Sequence, residues 1–202
     1  MWLGLHLRLR SWLLWQVLEF GVIIVAKLYQ GEYKITSWFG PRTLTNGDKR
    51  PHKGIDCVGV NSKRIITPTN GRIVSSQMIT DKSNLTWEWG NYVKMDDLNG
   101  YYLFFCHLAS RAVKAGQTVD KGQFVGLEGQ TGYSFGSHLH FEVRRKKDNV
   151  SIDPMDYFEI LNEWELNHFK KQVQSKYGFD DSTMDYLSKH PYATSLFEKL
   201  LK

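Results

Sequence analysis

The chain has 202 residues, of which 42% are hydrophobic and 23% charged, and it carries a formal net charge of +5. That length holds one well-buried domain and an appendage but not three domains, and that composition excludes wholesale disorder. The basic balance suits an anionic polymer, yet no nucleic-acid motif and no long Lys/Arg cluster occurs, so nucleic acid is not an expected partner.

The chain opens on an apolar run, Ser11 to Tyr29, preceded by Arg8 and Arg10. A basic start before an apolar stretch reads as a signal peptide or as a membrane anchor through residues 11–29. Glu19 opposes this reading, because an acid in mid-membrane costs roughly 2.5–3.5 kcal/mol. Ile24-Val25-Ala26 is also a poor cleavage site. An amphipathic or buried helix is the other reading of residues 1–30, and both stay open.

Residues 31–158 consist of short β-branched and aromatic runs, such as Arg72–Val74, Tyr92–Met95, Tyr101–Phe105 and Leu139–Val143. Turn signals at Asn70-Gly71, Asn99-Gly100, Ala115-Gly116 and Lys121-Gly122 separate them. This spacing predicts an antiparallel, mostly β domain. Arg144-Arg145-Lys146-Lys147 falls where a hairpin turn is expected and reads as a solvated turn. Residues 159–202 are poor in glycine and predict a helical appendage of about three short helices. Leu161, Trp164, Phe169 and Val173 mark the first, and Gly178 is its stop. Ser182–Asp185 starts a second, Pro191 interrupts, and Leu196, Phe197, Leu200 and Leu201 mark a third.

The chemistry lies in the middle block. In His52-Lys53-Gly54-Ile55-Asp56, two metal-ligand residue types stand four apart. In His138-Leu139-His140-Phe141-Glu142, strand alternation turns both histidines to one face and Leu139 and Phe141 to the other. Paired imidazoles are poor core residues unless a partner satisfies their ring nitrogens, and a metal does so. His107 follows the aromatic strand Phe104–Cys106. Catalytic zinc takes three protein ligands and keeps one position open. His52, Asp56 and one histidine of His138/His140 make that set, leaving the other and His107 for proton transfer and oxyanion stabilisation. Cys57 and Cys106 adjoin Asp56 and His107, so alternation predicts both thiols buried on the back face, with a disulfide between them there as the lesser reading. His6, His168 and His190 lack partner motifs and read as structural or exposed.

Beyond these residues the sequence resembles the lysostaphin/LytM-like zinc endopeptidases, over Ile35 to Phe158. The resemblance rests on Ser37-Trp38-Phe39-Gly40-Pro41-Arg42, the His52–Asp56 motif, Pro68–Val74, Gly90–Val93, Cys106-His107-Leu108, Val113–Gly126, Gly129–Ser134, His138–Glu142 and Asp153-Pro154. It implies a groove over an antiparallel sheet and one Zn²⁺ per chain held by His52, Asp56 and His140. His107 and His138 would be the catalytic pair, and the substrate would be a peptidoglycan stem or cross-bridge peptide. The expected location is extracytoplasmic, in the cell envelope or a phage virion. Three departures stand out. Phe105 occupies a position where the family often has tyrosine. Asn61–Ile66 replaces the usual turn after the aspartate. Residues 80–89 form an insertion-like loop whose Trp87 and Trp89 either wall the groove or pack on the sheet. Two other classes compete: a non-catalytic wall-binding or activator module on the same fold, and a biotinyl/lipoyl-like module suggested by Val113–Gly122. The second gives the histidines no role. Oligomeric state is not legible.

Overall fold

The structure is a computed structural model that describes residues 26–43, 47, 49–84, 86–190 and 192–202. The signal or anchor reading of residues 11–29 therefore lies outside the described residues except at Ala26–Tyr29. Among the described residues no helix is long and apolar enough to cross a membrane. Contacts divide the chain after Phe158, so that Ala26–Phe158 form a β unit and the residues from Glu159 onward belong to a helical one.

The β unit begins with a short strap. Leu28 and Tyr29 are fully buried, and Tyr29 bridges to Ile65. The strands that follow are β1 (Tyr33–Ser37), β2 (Gly40–Thr43), β3 (Lys49–His52), β4 (Gly54–Gly59), β5 (Arg64–Ile66), β6 (Gly71–Met78) and β7 (Asn91–Asp96). Then come β8 (Tyr101–Cys106), β9 (Ser110–Arg111), β10 (Thr118–Val119), β11 (Phe124–Leu127), β12 (Leu139–Arg145) and β13 (Ser151–Ile152). Eight of these strands form one antiparallel sheet in the order β1-β4-β12-β8-β7-β6-β10, with β13 also on β12. β5-β11-β9 form a second sheet, and β2 and β3 form a separate ribbon. The architecture is mostly β and antiparallel, as the turn-punctuated sequence predicts.

Register assigns the two faces of the main sheet, because residues directly opposite on neighbouring strands share a side. Phe141 lies opposite Ile55 and Phe105, and Val143 opposite Leu103. With Leu139 and Cys57 these residues are fully buried and pave the back. Phe105 packs on Phe141 at 5.2 Å, and Phe158 stacks on Phe141 at 5.8 Å. Each such side chain contributes roughly 1.5–3 kcal/mol by leaving water. Gly54 is fixed by closeness: a Cβ there would sit 2.2 Å from the Phe141 carbonyl oxygen. The glycine of the His52–Asp56 motif thus lets β4 lie against β12.

Helix α1 (Pro154–Tyr177) starts inside the β unit, where the Tyr157 hydroxyl donates to Asp97 Oδ2 at 3.0 Å. It stops at Gly178, whose φ of 68° suits glycine, as the sequence expects. Helix α2 (Asp181–Ser188) is capped by Asp180, whose side chain accepts from the Thr183 amide at 2.7 Å. Val173, Met184, Ala193 and Phe197 bury together, and the last two belong to α3 (Ala193–Leu201).

Candidate active site

Register brings the two ligand motifs together. His140 of β12 lies directly opposite Asp56 of β4. His52 ends β3, and after the Lys53 turn the chain re-enters the sheet as β4. His52 is buried, and its Nδ1 lies 2.8 Å from the Trp38 carbonyl oxygen. A carbonyl only accepts, so Nδ1 carries the proton and Nε2 presents a lone pair. That Nε2 lies 3.0 Å from Asp56 Oδ1 and 3.0 Å from His140 Nδ1, while His140 Nδ1 lies 2.9 Å from Asp56 Oδ1.

These three atoms fit a divalent cation. Two imidazole nitrogens and one carboxylate oxygen form the donor set that zinc takes with a position left open. Their mutual separations are near the edge of about 3.3 Å that a tetrahedron with bonds of about 2.0 Å requires. Without a cation, only a proton on His140 relieves the crowding of lone pairs. Burial disfavours that charge, but hydrogen bonds to Asp56 and Glu142 outweigh it and raise the His140 pKa to about 9. Burial likewise opposes the Asp56 charge, yet hydrogen bonds from His140 and His52 hold its carboxyl far below the usual range. Arg42 Nη1 donates to Asp56 Oδ2 at 2.9 Å and to Ser37 Oγ at 3.1 Å, which leaves Oδ1 facing the histidines.

His107 and His138 stand beside this cluster. The His107 ring is 4.7 Å from that of His138 and 5.8 Å from that of His140. His107 Nδ1 donates to the Thr131 carbonyl at 2.8 Å, and His138 Nδ1 donates to the Gly136 carbonyl at 2.8 Å. Both rings therefore keep Nε2 unprotonated when neutral, and His138 Nε2 lies 3.6 Å from Asp56 Oδ1. Burial first, then the neighbouring His140 and His138, push the His107 pKa down to about 3.

Two expectations change here. Cys106 lies opposite His140, so its thiol is on the groove side, in a cluster with Ile79, Tyr92 and Phe104. The alternation argument fails because the strand ends at Cys106 and His107 turns left-handed, with φ of 64°. Two consecutive residues consequently serve the same side. Cys57 keeps its back-face place, and burial holds both thiols protonated and inert. Arg144 is not in a solvated turn. It lies in β12, its side chain is 15% exposed, and its Nε donates to Glu142 Oε1 at 2.6 Å. The turn proper begins at Lys146, which pairs with Asp96 at 2.6 Å.

A groove of about 440 Å³ opens over the cluster, lined by His52, His107 and His140 and walled by Trp89, Tyr133 and Arg144. The loop of residues 80–89 does both things weighed for it. Trp89 lines the groove, and Trp87 and Trp89 also pack on the Tyr92–Phe104 cluster.

A model described as Peptidase family M23 matches residues 50–154, just over half of the chain. The chain belongs to peptidase family M23. It is 35% identical over 115 residues to an uncharacterized metalloprotease of Haemophilus influenzae, covering 56% of this chain and 23% of that protein. It is 36% identical over 114 residues to the peptidoglycan DD-endopeptidase ShyA of Vibrio cholerae, covering 55% and 25%. The chain thus spans about a quarter of the length of these curated relatives. Its fold is similar to a zinc-containing peptidase from Vibrio cholerae, with a TM-score of 0.53, 30% identity and coverage of 64% of this chain and 40% of that one. It is equally similar to the lysostaphin catalytic domain of Staphylococcus simulans, with a TM-score of 0.53, 26% identity and coverage of 63% and 92%.

All five site residues anticipated from the sequence meet in this M23 chain. The sequence alone assigns no site role to Arg42, Arg50, Tyr133, Glu142 or Arg144. Glu142 and Arg144 had a readable signal, since they continue the every-second-residue pattern of His138 and His140. Arg42 and Arg50 had none, because only the β2–β3 ribbon brings them to β4 and to the 80–89 loop.

Proposed function

We propose that this chain is a zinc-dependent endopeptidase that hydrolyses peptide bonds in peptidoglycan stems or cross-bridges. The observation that carries the reading is the convergence of His52 Nε2, Asp56 Oδ1 and His140 Nδ1 beside two further imidazoles. The endopeptidase names of relatives such as ShyA support the substrate class. A substrate of that class lies outside the cytoplasmic membrane, so the envelope or a phage virion is the proposed place of action.

In this reading His52, Asp56 and His140 hold the zinc, and Arg42 keeps the second Asp56 oxygen occupied. The ion supplies Lewis-acid polarisation and can bring the pKa of a water to roughly 7. His107 and His138 would divide two duties at Nε2: a neutral ring accepts the proton of the attacking water there, and a ring protonated there donates a hydrogen bond to the oxygen that becomes negative. Their Nδ1–H donors are anchored on backbone carbonyls, so both rings are held before substrate arrives. Proton transfer from such a group contributes typically 10²–10⁴-fold.

The test uses purified walls of defined cross-bridge chemistry. The zinc-loaded protein should release new amino termini, read by mass spectrometry of the fragments. His138→Ala should keep zinc and lose cutting by about 10²-fold or more. Wall binding without release of amino termini by the unaltered protein would falsify the reading in favour of a non-catalytic module.

A further inference from the structure

On the groove side of β12 the order is His140, Glu142, Arg144, with about 6.8 Å between successive members. Glu142 is 1% exposed, and its Oε1 accepts from Arg144 Nε at 2.6 Å and from Ser151 Oγ at 2.5 Å. Only the Nε of Arg144 is engaged in this way. Among the described residues its Nη donors have no carboxylate partner, and the guanidinium lies over Trp89 at 5.3 Å and Phe104 at 5.0 Å. Such stacking fixes the plane and presents the two-nitrogen edge that matches a carboxylate.

Arg50 makes a similar arrangement at the Trp87–Trp89 turn. Its Nη1 donates to the half-exposed Glu88 at 3.2 Å, and its guanidinium lies over Tyr133 at 4.9 Å. Both arginines line the groove that contains His52, His107 and His140. The other charged lining residues are Arg42, Lys53, Glu88 and Glu142. Arg42 is engaged by Asp56, Arg50 by Glu88 and Arg144 by Glu142, so these charges cancel in pairs and, among the described residues, Lys53 is the one formal charge in excess. What the lining offers an anion is therefore the outer Nη edge of Arg144, which a neutral peptide backbone does not require.

We infer that this groove selects a peptide bearing a free carboxylate near the scissile bond, bound by Arg144 with Arg50 as a second cation. The inference rests on the endopeptidase reading and names a specificity that reading lacks. Because the guanidinium reaches back over Glu142, the carboxylate sits roughly 7–13 Å along the strand from the His140 position. That corresponds to a side chain or terminus about two to four residues from the bond cut.

The experiment compares cross-linked stem-peptide dimers identical except for one carboxylate, left free or converted to the carboxamide. The unaltered protein should favour the free acid by about 10–100-fold in kcat/KM, mainly through KM. Arg50→Gln, at a side chain 40% exposed, should reduce that ratio several-fold. The double variant Glu142→Gln with Arg144→Gln removes both members of the buried pair, so no lone buried charge remains. It should bring the ratio near one. Equal cleavage of acid and amide by the unaltered protein overturns the inference, and so does an undiminished ratio in Arg50→Gln and the double variant. Calorimetric binding of both peptides to His138→Ala separates the two readings. Preference for the acid there, with no cleavage by the unaltered protein, defeats the endopeptidase reading alone. Equal binding of the two peptides defeats the carboxylate inference alone.

Discussion

The two sides of β12 are built from the same seven residues by different physics. Leu139, Phe141 and Val143 face back and are fully buried among Ile55, Cys57, Leu103 and Phe105. His140, Glu142 and Arg144 face forward, and each is answered by a specific polar partner. The back is held by area, which is non-directional and forgiving of chemistry but not of volume. The front is held by direction, so a change of one atom type matters there. Metal chemistry should thus respond to the front, and a change at the back should show in stability alone.

Five experiments would break or sharpen that contrast. Asp56→Ala removes the carboxylate that both ligand histidines address. Zinc should fall from one per chain to near none and cutting by about 10⁴-fold or more, and the metal-free protein should also lose stability, because Arg42 and His140 are left without their shared carboxylate. Metal analysis and wall digestion read this, and retained zinc would refute the front-face assignment. Phe141→Ala should instead spare the metal site. A loss of about 3–5 kcal/mol in denaturant unfolding is expected, while the protein that remains folded still binds zinc.

The third concerns protons. His140 holds a proton below a pKa of about 9 in the metal-free protein, and a cation must displace it. Apparent zinc affinity should therefore rise about tenfold per pH unit between pH 7 and 9 and level off above, as measured by competition with a chelator. A flat profile would refute the raised pKa. For metal-free stability the sign is opposite: the His140 contribution is full below about pH 6.5 and is lost as pH rises through about 9.

Arg42→Met comes next, since it frees Asp56 Oδ2 without touching Oδ1. Loss of such a supporting partner typically costs 10–100-fold in metal affinity. Phe105→Tyr should have the smallest effect on rate, less than about twofold. Phe105 faces back against Phe141, so a hydroxyl there reaches no substrate and instead costs about 1–3 kcal/mol of unfolding free energy. A gain in rate would mean that the faces are misassigned.

Much of this was legible in the sequence, because a strand has period two. His138 and His140 share a side by that rule, and hairpin-sized spacings announced the antiparallel sheet. What escaped was whatever depends on register or on a break in the period. Cys106 was misplaced because nothing in Phe105-Cys106-His107 announces a left-handed histidine. Arg144 reads as a turn residue in the sequence because a run of four basic side chains looks solvated, and nothing in that run shows the buried Glu142 two residues back. Arg42 lies 14 positions from Asp56, and only the folded ribbon makes that short.

The strap at Ala26–Tyr29 has a practical bearing on how the catalytic unit can be trimmed. Glu128 Oε2 accepts from the Tyr29 hydroxyl at 2.9 Å and from the Gly59 amide at 2.8 Å, while Oε1 takes Lys63 at 2.7 Å and Ser137 at 2.9 Å. Ser137 immediately precedes His138. A shortened version beginning at Ala26 retains every member of this relay. One beginning at Gly31 strips the buried tyrosine, opens a hole over the carboxylate and loosens the loop that leads into His138, although no residue of the groove itself has been removed.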